Sequence, residues 1–317
     1  MTGTGNDPST TRRAAVVVNP TKFADLDAVR RQLTDGCTRA GWAEPMWIET
    51  TAEDPGEGQA RQAMDAGVDL VCPLGGDGTV RAVAQALVHS RVPIGLLPGG
   101  TGNLLARNLD LPVTDLDEAL AVALTGTDHP IDVGQVRFDH SGEDQDTTER
   151  VFLVMAGFGF DAAMIADAPE QLKSKVGWLA YAVSGLKNLK GPRVKVRIKA
   201  DDAPSYRRHV RTVLVGNCGK LTGGIVLLPE ASVDDGWLDA VALSPTGLVG
   251  WATVAARLIR KTGHPKIEHI RCHELRVGAE RPQEGQLDGD TVGQVRGMRT
   301  RIDPDALLVR LPAGARG

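Results

Sequence analysis

Two glycine-rich turns, Leu74-Gly75-Gly76-Asp77-Gly78-Thr79 and Pro98-Gly99-Gly100-Thr101-Gly102-Asn103, each stand between a short apolar run and a segment of helical periodicity. Glycines let backbone N–H groups approach phosphate oxygens with no Cβ in the way, and the start of a following helix adds unpaired donors and a favourable dipole. Turns that follow neighbouring strands of a parallel sheet open on one sheet edge, where ligands of such sheets bind. Neither turn continues into the Gly-Lys-Ser/Thr of a Walker motif, and neither gives Gly-x-Gly-x-x-Gly with an acidic residue ending the next strand. The pair predicts phosphate binding and argues against a nicotinamide cofactor. Asp77 has two readings: a group that holds Mg²⁺ or orients phosphates, and a plain helix cap.

The surrounding pattern supplies the sheet. Ala14–Val18, Met46–Thr50, Val68–Leu74 and Val92–Leu97 read as strands. Between them Leu26, Val29, Arg30 and Leu33 recur at helical spacing, Gly58–Gly67 reads as a short helix, and Val80, Val83, Ala84, Leu87 and Val88 mark one helical face. A further helix is expected from Leu104. This alternation predicts a parallel sheet covered by helices. Beyond Asp132 strands dominate, at Val151–Met155, Val194–Ile198, Val210–Val215 and Trp237–Leu243, with one helix from Ser244-Pro245 to Lys261 and a last strand at Ala306–Leu311. The acidic stretch Asp139–Glu149 reads as an exposed hairpin loop. The fold class is therefore α/β followed by a β-rich second domain, which suits a chain of 317 residues.

A formal charge of −4 argues against a nucleic-acid binder, and no apolar run reaches the ~18 residues of a membrane span. Met1–Arg13 is polar, unlike a secretory signal, and is expected to be a disordered tail. Cys37, Cys72, Cys218 and Cys272 are scattered without a Cys-x-x-Cys pair, which fits a reducing cytoplasm.

Asn19-Pro20 after the first strand, together with the two glycine turns, resembles the catalytic-domain pattern of the diacylglycerol kinase family, which includes sphingosine and ceramide kinases and bacterial lipid kinases. The resemblance continues through Ile131-Asp132-Val133-Gly134, Gly157-Phe158-Gly159-Phe160-Asp161-Ala162, Pro229–Leu238 and Leu287-Asp288-Gly289-Asp290, and so spans roughly 14 to 312 in order. After the polar tail over 1–13, it implies a Rossmann-like nucleotide-binding domain over 14–132 and a β-sandwich-like lipid-substrate domain over 133–300. It also implies a segment, 301–317, returning to the first domain, and an active site in the cleft.

By the same resemblance Asn19, Gly75, Gly76, Gly78, Thr79, Gly99, Gly100, Thr101, Gly102 and Asn103 would hold ATP, and Asp77 would organise Mg²⁺ and the phosphates. The late turn of bacterial relatives reads Asp-Gly-Glu, with Glu as general base. Here Asp290 stands in that place, one methylene shorter, while Asp288-Gly289 also reads as an ordinary hairpin turn. Asp234, Asp235 and Asp132 would take part in a structural Mg²⁺ site, with a simple Asp-Gly turn as the alternative.

The stretch 171–200 is rich in Lys and Arg interleaved with apolar residues, and reads either as a peripheral membrane contact or as a solvated surface. His269, Cys272 and His273 fall on a strand-like segment and do not read as a metal set, and Trp42, Trp47 and Trp251 read as packing residues. The expected activity is phosphorylation of a diacylglycerol-like lipid at a membrane surface by a cytoplasmic, peripherally associated enzyme, with a homodimer left open. Two rivals stand beside it: an NAD kinase, which shares Gly-Gly-Asp-Gly-Thr but would carry an Asn-Glu pair not found here, and a non-catalytic, nucleotide-responsive membrane-binding protein.

Overall fold

The computed structural model describes residues 11–142, 148–159, 193–221, 226–244 and 267–314. Apart from Ser244 itself, the expected helix from Ser244 to Lys261 lies outside them, as do most of the basic stretch and all but three residues of the expected tail. The chain divides into two compact units, one running up to Pro130 and resuming at Leu307, the other spanning Ile131–Ala306.

The first unit is built on β1 (Ala14–Val18), whose five residues are all buried, as suits a strand covered on both faces. It pairs in parallel with β2 (Met46–Glu49) on one side and β3 (Leu70–Gly75) on the other, and β4 (Leu97–Pro98) continues the sheet from β3. Three helices connect these strands, α1 (Leu26–Arg39), α2 (Glu57–Asp65) and α3 (Asp77–Leu87), and two more, α4 (Leu104–Asn108) and α5 (Leu116–Thr125), follow β4. Asp25 caps α1 through the Ala28 N–H, and Asp115 caps α5 through Asp117 and Glu118. Leu33 and Cys37 of α1 and Leu120, Ala123 and Leu124 of α5 pack with Val16, Val18, Leu70 and Leu74 of the sheet.

The fourth strand is shorter than its apolar run predicts. Pro93 has no N–H to give to a ladder, and the Ile94 N–H is taken by the Leu308 carbonyl at 2.8 Å. Val92–Leu97 therefore breaks into a bridge of Ile94 with Val71 and Val309, then the two residues of β4. The chain end thus becomes a parallel neighbour of Ile94, with the Arg310 N–H on the Ile94 carbonyl at 2.9 Å and the Arg310 guanidinium on the Gly126 carbonyl at 2.7 Å.

The second unit is antiparallel. Its strands are β5 (Thr127–Asp139), which enters from the first unit, β6 (Arg150–Phe152), β7 (Met155–Phe158), β8 (Val194–Ala200), β9 (Tyr206–Val210), β10 (Thr212–Gly216), β11 (Leu238–Leu243), β12 (Ile267–Cys272), β13 (Glu274–Leu287) and β14 (Asp290–Leu311). They run in the order β12-β11-β10-β7-β13-β14-β5-β6, with β8 paired to β13 and β9 to β8. Phe152, Phe158, Val194, Val196, Ile198, Leu275 and Val277 contribute to its core. The run Val151–Met155, expected as one strand, is cut into β6 and β7 because the N–H groups of Leu153, Val154 and Met155 turn to the Asp288 carboxylate instead of a ladder. Val210–Val215 is likewise divided at Arg211, whose N–H goes to the Leu243 carbonyl at 2.7 Å.

Leu307, Val309 and Leu311 are buried in alternation with the half-buried Leu308 and Arg310. Leu307→Ala should therefore cost about 2–5 kcal/mol in urea unfolding and Leu308→Ala markedly less. Equal effects would contradict the strand's facing.

Candidate active site

Both glycine turns and Asn19 sit at the C-terminal edge of the first unit's parallel sheet, following β1, β3 and β4. The turns lie backbone on backbone. A Cβ added to Gly99 would come 2.7 Å from the Gly75 nitrogen, and one added to Gly100 would come 2.7 Å from the Gly76 Cα. The Gly99 N–H donates to the Gly75 carbonyl at 3.2 Å. Glycine is required here because two chains cannot otherwise approach so closely.

Side chains then lock the pair. Asp77, the first residue of α3, accepts the Leu104 N–H on Oδ1 at 2.6 Å and so ties the second turn to the first. A Cβ at Gly102 would strike its other oxygen. Asn103, in the left-handed region at φ 46° and buried, accepts the Gly100 N–H at 3.2 Å and donates to the Gly100 carbonyl at 2.9 Å. Thr79 is buried beneath Gly75, and Thr101 is exposed. Asn19 accepts the Thr21 N–H at 3.1 Å and donates its own N–H to the Leu74 carbonyl at 3.0 Å, which fixes it beside the first turn. Above Gly76 the backbone is bare, since an added Cβ would meet no atom within 4 Å. A helix start with bare glycine backbone at a sheet edge fits a phosphate. Asp77 and Asn103 also line one small pocket with Val80, Leu96, Leu97 and Pro98.

In the second unit Asp288 and Gly289 form the two-residue turn between β13 and β14, with φ of 48° and 93° and Leu287 opposite Asp290. Asp288 is only 4 % exposed. Its carboxylate accepts three N–H groups, from Leu153 at 3.0 Å and from Val154 and Met155 at 2.9 Å, while its own N–H donates to the Met155 carbonyl at 2.8 Å. Asp290 follows, exposed, at the first position of β14. The hairpin reading therefore applies to Asp288-Gly289, and Asp290 stands exposed beside that turn. The anchoring role of Asp288 was not legible in the sequence, because its partners lie far along the chain in a run that reads as plain strand.

The expected metal carboxylates of the second unit are engaged otherwise. Asp132, 1 % exposed, accepts the N–H groups of Gly236 at 2.6 Å and Asp305 at 2.9 Å. Burial pushes its pKa up against the pull of those two donors. Asp234 accepts the Ser232 hydroxyl at 2.6 Å, and Asp235 accepts the Trp237 N–H at 3.0 Å and pairs with Arg271 at 2.6 Å. These carboxylates bind N–H and O–H donors and a guanidinium, an arrangement that ties Pro229–Leu238 to β5 and does not present a set of oxygens to a cation. Among the described residues no three His, Cys, Asp or Glu side chains group as a metal site. His269 is exposed and Cys272 buried on β12, and the His273 ring lies against Trp237. All four cysteines are free and buried. Among the described residues no helix is long and apolar enough to cross a membrane.

Comparison with known proteins agrees with this arrangement. Residues 13–136 match the diacylglycerol kinase catalytic domain family and residues 153–311 match the YegS C-terminal NAD kinase beta sandwich-like domain. A Pseudomonas aeruginosa protein named as a YegS-like lipid kinase is 34% identical over 278 residues, covering 84% of this chain and 85% of its own. The diacylglycerol kinase of Bacillus subtilis is 28% identical over 293 residues, covering 90% and 92%. A solved diacylglycerol kinase structure from Bacillus anthracis shares the fold at TM-score 0.72 and 21% identity, covering 96% of this chain and 98% of that one. An Archaeoglobus fulgidus NAD kinase in complex with ATP shares it at TM-score 0.51 and 14% identity, covering 95% and 94%. A parallel-sheet α/β unit followed by an antiparallel β-sandwich-like unit, matched by these two family models, is the fold of a lipid kinase. Within that class the chain belongs to the diacylglycerol kinase family of lipid kinases.

Asp288→Asn should leave an amide nitrogen facing backbone donors and cost about 1–3 kcal/mol in denaturant unfolding. A variant as stable as the parent would contradict the anchoring role.

Proposed function

We propose that the protein is an ATP- and Mg²⁺-dependent lipid kinase that phosphorylates the hydroxyl of diacylglycerol or a similar lipid, giving phosphatidic acid or an analogue. The observation that carries this reading is the pair of interlocked glycine turns at one sheet edge, in a chain of the lipid kinase family. Bound there, ATP with Mg²⁺ supplies the phosphoryl group and charge neutralisation. The chain's own part is positioning. Backbone N–H groups at Gly76 and the start of α3 would hold phosphate oxygens, and Gly99, Gly100 and Gly102 leave room for the second turn to close against the first. Asn19 holds the end of β1 against the first turn. Asp77 would hold the metal on a carboxylate already fixed by Leu104. Asp290, on a turn held by the buried Asp288, would accept the proton of the lipid hydroxyl.

The test is pure protein with labelled ATP, Mg²⁺ and a panel of diacylglycerol, monoacylglycerol, ceramide and sphingosine in mixed micelles. Labelled phosphatidic acid is expected, and a panel with no labelled lipid sinks the proposal. Conversion of NAD to NADP by the same preparation would favour the NAD kinase reading. Asp77→Asn and Asp290→Asn should each lower transfer by about 10²-fold or more with circular dichroism unchanged. Parent rates in either variant would remove that residue from the mechanism.

A further inference from the structure

The sheet of the second unit has a solvent face whose charge does not follow from folding. In β8 the side chains of Val194, Val196 and Ile198 are buried, while Lys195 and Arg197 are exposed and Lys199 half-buried on the opposite face. Register extends that face across three more strands. Arg207 of β9 lies opposite Arg197, Arg276 of β13 lies opposite Lys199, and Arg299 of β14 lies opposite Arg276.

Three cross-strand pairs are therefore like-charged in direct register, an arrangement that destabilises a sheet. Glu274 relieves part of this by pairing with Arg276 and Arg299 at 2.5 and 3.0 Å. Among the described residues Lys195, Arg197, Lys199 and Arg207 have no carboxylate partner. Other acidic side chains border this register: the exposed Glu280, two positions beyond Gly278, Asp201 at the end of β8, Asp139 beside Gly297, and Glu149, which pairs with Arg301 at 3.1 Å. Gly278 and Gly297, opposite each other, leave the middle of the face low. Strands about 4.8 Å apart put these cations within one or two Debye lengths, about 8 Å at physiological salt, so their fields add.

We infer that the outward face of β9, β8, β13 and β14 is a docking surface for a bilayer containing anionic phospholipid. A protein partner would need apolar anchors, and a single nucleic-acid strand would need aromatic platforms, and these named outward positions supply neither. Headgroup charge spread over a bilayer needs only cations on a broad face. The protein as a whole is negative, with a formal charge of −4, so such a face also orients the molecule as it approaches. The contact is a property of strand register: Lys195, Arg197 and Lys199 close the basic stretch, and Arg207, Arg276 and Arg299 join them from three other strands. It does not rest on the kinase reading, because docking requires no nucleotide.

The test is co-sedimentation of the full-length protein, without nucleotide, with vesicles of phosphatidylcholine alone or with phosphatidylglycerol added. Binding to the anionic vesicles only, weakened by salt, is expected. The combined variant Lys195→Gln, Arg197→Gln, Arg207→Gln should bind on the order of a hundredfold less, at roughly fivefold per cation lost. It should also melt at or above the parent temperature, since it relieves like-charge repulsion. Arg31→Gln, Arg39→Gln, Arg61→Gln, the same charge change on the exposed surface of the first unit, should keep most of the binding. Equal loss in the two variants, equal binding to neutral vesicles, or tighter retention of a DNA oligonucleotide than of anionic vesicles would overturn the inference. Anionic-vesicle binding by a preparation that labels no lipid would sink the kinase proposal and leave this face standing.

Discussion

The contact on which the first unit's site depends is a van der Waals one, between backbones. Gly99 and Gly100 lie on Gly75 and Gly76 at distances that no side chain tolerates, and everything polar at the sheet edge is arranged around that contact. Asp77 reaches the Leu104 N–H only because the turns are this close, and Asn103 takes up a left-handed backbone to close the second turn on itself. Buried Thr79 supports Gly75 from below. The result is a rigid patch of N–H donors, built from two segments that are separate in sequence. Such preorganisation suits phosphoryl transfer, in which a protein contributes mostly position and charge.

The second unit uses a different device for a similar end. A carboxylate withdrawn from water is costly unless its lone pairs are matched, and Asp288 matches them with three consecutive backbone donors. Cutting β6 from β7 is the structural cost, and a two-residue turn fixed to the core is the gain. Asp132 repeats the pattern with Gly236 and Asp305. In both places an acid that looks chemical in the sequence organises backbone, and Asp290, the exposed member of the late turn, carries the proposed chemistry.

The strands and helices of the first unit were legible because their apolar residues repeat with the right periods and their ends carry caps and glycines. The exceptions were Val92–Leu97, where the competing partner of Ile94 lies far along the chain and leaves no local sign, and α5 (Leu116–Thr125), which was not read from the sequence. The glycine turns could be located from the sequence, but not that they would lie on each other, since close approach depends on β3 and β4 being neighbours. For the carboxylates the sequence located the turns without distinguishing anchors from chemistry. Asp132, Asp234 and Asp235 read as oxygen donors to a cation, whereas Gly236, Asp305, Ser232, Trp237 and Arg271 occupy them. Charge showed a similar limit: the alternation along β8 was visible, but Arg207, Arg276 and Arg299 join it only through register.

The bridge between Ile94 and Val309 has a consequence for biosynthesis. Ribosomes extend a chain at about 5–20 residues per second, and N-terminal domains usually fold first. Here most of the first unit emerges early, but the strand that flanks Ile94 follows only after the whole of Ile131–Ala306. Until then the backbone groups of Ile94 that bond Leu308 and Arg310 have no chain partner there. A chain stopped between Leu97 and Leu307 would leave Ile94 without this neighbour, so the first unit's sheet edge is completed only after the second unit has been made.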